Sequence, residues 1–338
     1  MTALPDALAA VFRDRRVLIT GGLGFVGSNL AHALVRAGSA VTIVDSLMPT
    51  HGGSWTNVEG LESELDVHEL DVRDTERLHE HLRGKDVLFN LAGQTSHLDS
   101  MSDPRTDLGI NCTAQLSLLE ACRADNPELR IVFAGTRQIY GSPRYLPVDE
   151  EHPIDPVDVN GINKTAGEWY HLLYGRVYGL PVTVLRLTNT YGPRMRVRDA
   201  RQTFLGLWIR QALADEELQV FGDGTQRRDF AYVDDVVRAL CLAVTSPAAL
   251  GEVFNVGADG HQSLEETAEL VVRLAGSGRY RTVPFPDERR AIDIGDYYAD
   301  DRKLRDALGW SSEVGLEEGL GRTLDFYREH GERYWSEE

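Results

Sequence analysis

Cysteine is scarce in this chain. There are three in 338 residues, Cys112, Cys122 and Cys241, and none forms a C-x-x-C or any other metal-ligand spacing. That excludes a disulfide scaffold and a structural zinc module, and the three read as small buried hydrophobes in a reducing compartment. Positive charge is also short: 35 Lys and Arg stand against 53 Asp and Glu, a formal net charge of -18. A surface this acidic repels phosphate backbones and anionic lipid, so nucleic acid and membrane are not expected partners. A local arginine cluster can still hold a small anion. No apolar run is long enough to span a bilayer. Residues 1–16 carry Pro5, Asp6 and Asp14 around a short apolar stretch, which is neither a secretory signal nor a membrane span. A cytoplasmic location is the expectation. There is no internal repeat, no low-complexity tract, no Gly/Ser linker and no expected metal site.

What is present is alternation. Short apolar, β-branched runs at Arg16–Thr20, Ala40–Asp45, Leu65–Leu70, Asp86–Ala92 and Leu129–Ala134 are separated by helical patterns at 25–37, 74–83 and 105–125. A further helix at about 160–178 and a strand at Pro181–Leu187 follow. Continuous apolar strands between helices predict a parallel sheet covered on both faces, a doubly wound arrangement that binds ligands at the carboxyl ends of its strands. After Gly141 the texture changes. Residues 141–157 are rich in Pro and acid, and 190–230 in Gly, Arg and aromatics. Helices are expected at about 262–275, 300–308 and 314–330. The fold class is therefore α/β, a Rossmann-like sheet with a smaller, interleaved C-terminal lobe. The expected division is 1–185, with returning segments near 229–256, for the dinucleotide domain, and mainly 186–338 for the substrate lobe.

The strongest local signal is Gly21-Gly22-Leu23-Gly24-Phe25-Val26-Gly27, which follows a strand and opens a helix. Gly21 permits a tight turn, Gly24 lets backbone approach a pyrophosphate, and Gly27 allows close helix–strand packing. The helix N-terminus beyond, at Phe25 and Val26, offers unpaired N–H groups to phosphate. Asp45 ends the second strand, 18 residues after Gly27. A carboxylate there accepts hydrogen bonds from ribose hydroxyls and repels the extra phosphate of NADP, and no Arg follows it closely. NAD is the expected cofactor. Asp71, with Val72 beside it, closes the third strand. It is placed to meet the adenine edge, and equally to cap the following helix.

Six separated motifs in fixed order resemble the extended short-chain dehydrogenase/reductases, in particular the nucleotide-sugar epimerases and dehydratases. They are TGGLGFVGS at 20–28, NLAG at 90–93, AGTRQIYG at 134–141, a lysine helix at 160–170, RLTNTYGPR at 186–194 and GDGTQRRDFAYVDD at 222–235. The resemblance covers nearly the whole chain. It implies an NAD domain, to which Leu91, Ala92 and Gly93 belong, and a lobe that holds a nucleoside-diphosphate sugar. It also implies transient oxidation of the sugar, usually at its C4 hydroxyl, by a retained and recycled NAD. By resemblance alone, helices 105–125 and 160–178 pair in a homodimer.

The resemblance further implies a catalytic Ser or Thr, a Tyr, and a Lys four residues after the Tyr on the same helix face. Thr136 and Lys164 occupy two of these positions. The Tyr position is Asn160, and an amide is no proton acceptor at neutral pH. Three readings stay open. Another group, among Lys164, Tyr140, His97 and a relayed water, supplies the base; or the reaction needs no such transfer; or the protein binds NAD and a sugar nucleotide without turnover. Where dehydratases of the family carry Asp-Glu and sugar-acid decarboxylases a Glu, this chain has Arg137-Gln138. An epimerase needs no carboxylic acid there and is the leading expectation, with an atypical dehydratase or decarboxylase as the alternative. Arg137 is suited to a sugar carboxylate, and equally to the acidic loop at 149–151. For the substrate, the resemblance implies that Asn189 and Arg228 bind the diphosphate. Arg194 heads a basic run, Arg290 is a further phosphate contact, and Gln94, Thr95 and His97 line the sugar pocket.

Overall fold

The computed structural model describes residues 3–49 and 51–335. Its centre is a seven-stranded sheet. The strands are β1 (Arg16–Thr20), β2 (Ala40–Asp45), β3 (Leu65–Glu69), β4 (Val87–Asn90), β5 (Arg130–Thr136), β6 (Val182–Leu187) and β7 (Val253–Val256), in spatial order β7-β6-β5-β4-β1-β2-β3. Every pairing is parallel. The order runs outward from β1 in both directions, so the chain reverses beside β1 and opens a crevice at the strands' carboxyl ends.

Alternate side chains of each strand feed opposite cores. Val17 and Ile19 of β1 pack on one face with Leu30 and Leu34 of helix α1 (Phe25–Arg36). Leu18 packs on the other face with Leu78 and Leu82 of α2 (Thr75–Leu82) and Leu118 of α3 (Ala114–Asp125). With both faces buried, the inner strands read as unbroken apolar runs, whereas the edge strand β3 mixes apolar Leu65 and Val67 with exposed Asp66 and Glu69. Truncating a Leu in either core costs about 2–5 kcal/mol.

The stretch expected as one helix at 105–125 is three pieces: Pro104–Leu108, a π-helical turn at Gly109–Thr113, and α3. Such bulges re-aim side chains, and this one carries Asn111, which bonds the backbone of Gln94. Helix α4 (Val159–Tyr178) starts at Asp158, whose carboxylate accepts from Gly161 N, and stops at Gly179 in the left-handed region. Helices at Asp6–Phe12, His97–Ser102, Phe204–Leu213 and α5 (Val233–Thr245) had no sequence expectation. Helix α5 covers the same face as α1, through Val236, Leu240 and Val244. β7 then adds to β6, so the chain re-enters the sheet after its excursion from 188 to 232.

The remaining residues build a third core, from Trp208 and Ile209, Leu218, Val271, and Leu320, Leu324 and Tyr327. A small parallel pair, Glu217–Phe221 with Arg279–Val283, borders it. Arg194 ties the two parts together. Its guanidinium donates to Asn57 O at 3.0 Å and to Asn29 Oδ1 at 3.1 Å, and lies over the Phe326 ring.

Candidate active site

The crevice is lined from one end by Gly21, Gly24, Phe25, Val26 and Gly27, then by Asp45, Asp71 and Val72, by Leu91, Ala92 and Gly93, and at the far end by Thr95, His97, Thr136, Arg137, Asn160, Lys164 and Asn189. The expected cofactor residues and most of the expected catalytic residues therefore share one cleft.

At the first end the work is done by backbone. Gly21 has φ +71°, and a Cβ there would sit 2.9 Å from Ala92 N. A Cβ on Gly27 would fall 2.2 Å from Gly21 O and 2.7 Å from Gly22 Cα, both backbone and unable to give way. Helix α1 begins at Gly24 with no side-chain cap, so its first N–H groups stay available to an anion. Asp45 is buried at the end of β2, its carboxylate held by Leu23 N at 3.0 Å and Leu47 N at 2.9 Å. Burial pushes this carboxyl up, against the pull of those N–H donors. Asp71 is gripped by Arg73, with Nη2 2.6 Å from Oδ2 and Nε 3.0 Å from Oδ1. Burial raises Asp71, but the Arg73 hydrogen bonds outweigh it and hold the group below the usual carboxylate range. The cap of α2 is Asp74, not Asp71. Glycine cradle, free helix N-terminus and strand-end carboxylate together fit a dinucleotide.

The far end is a network of side chains. Asn160 donates through Nδ2 to Gln94 O at 2.7 Å and to Asp107 Oδ2 at 3.0 Å. Asp107 also accepts from Asn163 Nδ2 at 2.8 Å and is fully buried. With both amide hydrogens of Asn160 taken, its Oδ1 is the atom left for the cleft. Lys164, one turn on, donates from Nζ to Ala134 O at 3.0 Å and lies over the Phe133 ring. Burial lowers its pKa to about 8, with Asp107 opposing. Thr136 closes β5 and accepts from Gln138 N. Asp158, the cap of α4, is fully buried as a side chain and lies 2.9 Å from His97 Nδ1. Gln138 Nε2 donates to the same carboxylate oxygen at 2.8 Å. Burial raises Asp158, yet the His97 and Gly161 contacts prevail and hold it low.

Several expected residues stand elsewhere. Gln94 and Gln138 are buried behind the lining and serve through Asn160 and Asp158. Arg194 joins the two lobes, and the run after it stitches loops: Arg196 and Arg198 donate to Pro49 O, and Arg201 pairs with Asp99. Arg290 is exposed and donates to Phe285 O, away from the lining. Arg228 is buried, donates to Gly295 O, and lies 3.7 Å from Asp293. Burial, then the neighbouring Arg137, lowers Arg228 to about 10. Arg137 does not pair with the 149–151 loop. Its Nη2 donates to Asn189 Oδ1 at 3.0 Å, and its guanidinium lies over the Tyr297 ring. Tyr140 is not in the cleft. It is buried, donates to Asn255 Oδ1, accepts from Arg186, and burial pushes its phenol up.

Asp107, Asn163, Asp158, Gln202 and Thr203 were not anticipated. Asp158 and Thr203 each carried one usable signal, a capping residue just before a helix; Asp107, Asn163 and Gln202 carried none, because the partners that place them lie far away in sequence. Among the described residues no cluster of three metal-ligating side chains occurs, and no helix is long and apolar enough to cross a membrane.

Comparison with known proteins gives the following. The sequence model of the NAD dependent epimerase/dehydratase family matches residues 17–257. A putative UDP-glucose 4-epimerase of Methanocaldococcus jannaschii is 33% identical over 315 residues, 92% of this chain and 98% of that one. UDP-glucuronic acid decarboxylase 1 of Xenopus tropicalis is 34% identical over 328 residues, 94% of this chain and 73% of that one. Among solved structures, an epimerase from Methanothermobacter thermautotrophicus superposes with a TM-score of 0.89 at 26% identity, covering 97% of this chain and 96% of that one.

Proposed function

The chain belongs to the NAD-dependent epimerase/dehydratase family, with NAD as its cofactor, and on that premise we propose that it epimerises a nucleoside-diphosphate hexose at C4. One observation carries this choice over water loss or decarboxylation. Among the described residues that line the cleft, the only carboxylates are Asp45 and Asp71, both at the glycine-loop end. The sugar end therefore presents, among the described residues, no carboxylic acid of the kind that water loss or decarboxylation would call on. An epimerase needs none.

The roles follow from the geometry. Backbone N–H groups at Phe25–Gly27 hold the pyrophosphate and Asp45 the adenosine ribose. When bound, NAD takes hydride from the sugar carbon and returns it. Thr136 donates to the reacting oxygen and Lys164 holds the nicotinamide ribose. Burial and then the neighbouring Arg137 depress Arg228, with Asp293, Asp296 and Asp229 only partly offsetting them; a diphosphate beside Asn189 would relieve that repulsion. Ile162, Trp169 and Val177 leave an apolar stripe exposed along α4, which suits a homodimer face.

The test is incubation of the NAD-loaded protein with UDP-, dTDP-, GDP- and CDP-hexoses, with products read by mass and NMR. Unchanged mass with inverted C4 is the expected result; loss of water or carbon dioxide supports the alternative lyase reading. A second reading, binding without turnover, is favoured by Asn160 alone, and binding with no conversion across the panel supports it.

A further inference from the structure

We infer that His97, oriented by Asp158, is the proton acceptor that position 160 no longer provides. The inference rests on the epimerase reading and goes beyond it by assigning the base.

The other three side chains near the reacting end are excluded by where they lie or what they are. Asn160 is an amide with its hydrogens spent on Gln94 O and Asp107. Tyr140 is buried outside the cleft, between Asn255 and Arg186. Lys164 is anchored by Ala134 O and Phe133 in the part assigned to the nicotinamide ribose, where its hydrogens are used as donors. His97 lines the cleft with Thr136, Asn160 and Lys164. Its ring is about one-third exposed, while the carboxylate behind it is fully buried.

Asp158 is met from three sides. Gly161 N holds Oδ1 at 2.6 Å and Gln138 Nε2 holds Oδ2 at 2.8 Å, while His97 Nδ1 lies 2.9 Å from Oδ2, in reach of the carboxylate but out of line for a hydrogen bond. A carboxylate has no hydrogen to give, so two facing lone pairs at that distance would repel; a neutral ring places its proton on Nδ1, where a small rotation aligns it, and Nε2 keeps its lone pair. Nε2 has no hydrogen-bond partner among the described residues. The arrangement is that of a general base with an orienting acid: the acid sets the tautomer and stabilises the imidazolium once it forms. The second position after Thr136 thus gains a purpose, since Gln138 steadies the orienting carboxylate and not the substrate.

The O4–H bond of the hexose breaks and its proton goes to Nε2. The C4–H bond breaks with hydride going to the oxidised nicotinamide, and C4 becomes a ketone. On return, the imidazolium gives the proton back to O4 as hydride is delivered to the opposite face.

Two measurements test this. The first needs no substrate: ¹⁵N NMR of histidine-labelled, NAD-loaded protein near neutral pH. The expected result is a His97 signal of the Nδ1–H tautomer, lost in Asp158→Asn. Asn is as good a helix cap as Asp, so α4 survives that change. A wild-type Nε2–H tautomer would overturn the inference. The second uses UDP-glucose and UDP-galactose, or whichever donor of the panel is converted. His97→Gln should lower kcat by about 10²–10⁴-fold, the range for a lost general base, with NAD affinity and melting temperature kept. In that background, Asn160→Tyr should restore at least about tenfold, because a phenol at 160 regains Lys164 one turn away; in the wild-type background it should change kcat little. A kcat in His97→Gln within about threefold of wild type sinks the base role alone. No conversion of any donor by the wild-type protein sinks the epimerase reading, and the base role with it, even where the tautomer is as expected.

Discussion

The two ends of the cleft are made of different material. The glycine-loop end is backbone: three glycines, the first turn of α1 and a single carboxylate at the end of β2. The sugar end is side chains drawn from distant segments, in which Asn160 reaches Gln94 and Asp107, and His97 meets Asp158. A backbone site tolerates no added atom, because what it would strike cannot move. A side-chain site tolerates exchange, because one hydrogen bond can stand in for another. This is how an amide can occupy the position of a phenol without disturbing the fold around it.

The contrast breaks most readily at Gly27. Gly27→Val should abolish measurable NAD binding, at least about 100-fold by titration, and destabilise the fold by about 1–3 kcal/mol or more through overpacking. Undiminished affinity would mean that the backbone is not what the cofactor reads. Asp107→Ala is the counterpart at the other end. It strands the amides of Asn160 and Asn163 in a buried site, at about 1–3 kcal/mol for each group left unpaired. The melting temperature should fall while NAD affinity stays within about threefold. A joint loss would show that the two ends are not separable.

How much of this was legible follows from the same contrast. The glycine spacing and Asp45 lie within one strand–turn–helix–strand unit, so their partners are fixed by local geometry and could be read directly. The inner strands were legible because both faces of the sheet are buried there. The helix at Gly109–Thr113 was misread as continuous, since a π turn keeps the apolar rhythm while shifting its phase. Arg194 looked like a ligand for phosphate because charge is visible in a sequence and its partner is not; here the partners are Asn57 and Asn29. Asp107 gave no sign at all, since nothing near residue 107 indicates contact with residues 160 and 163.

Lys164 sharpens the comparison through pH. Its folded pKa is lowered to about 8 from 10.5. Between those values the unfolded chain keeps the proton and the folded chain has released it, so the wild type gains stability as pH rises through that window. Lys164→Met should therefore be more stable than wild type at pH 7, by about 1–3 kcal/mol, and the gap should close by about pH 10. Melting curves of the two proteins at several pH values decide it; parallel curves would deny the burial cost. The smallest effect is expected on the outer face of α4. Trp169 and Ile162 are more than half exposed, so Trp169→Glu should change unfolding free energy by about 0.5 kcal/mol or less. If that stripe joins two copies, sedimentation should show the variant as a monomer where the wild type is a dimer. A wild-type monomer would leave both ends of the cleft untouched and remove only the pairing.

The central claim is that the sugar's C4 hydrogen leaves and returns as hydride without meeting solvent. UDP-galactose deuterated at C4, converted by the NAD-loaded protein in ordinary water, tests it directly. The UDP-glucose formed should keep the deuterium at C4. Product with hydrogen at C4 would contradict the account.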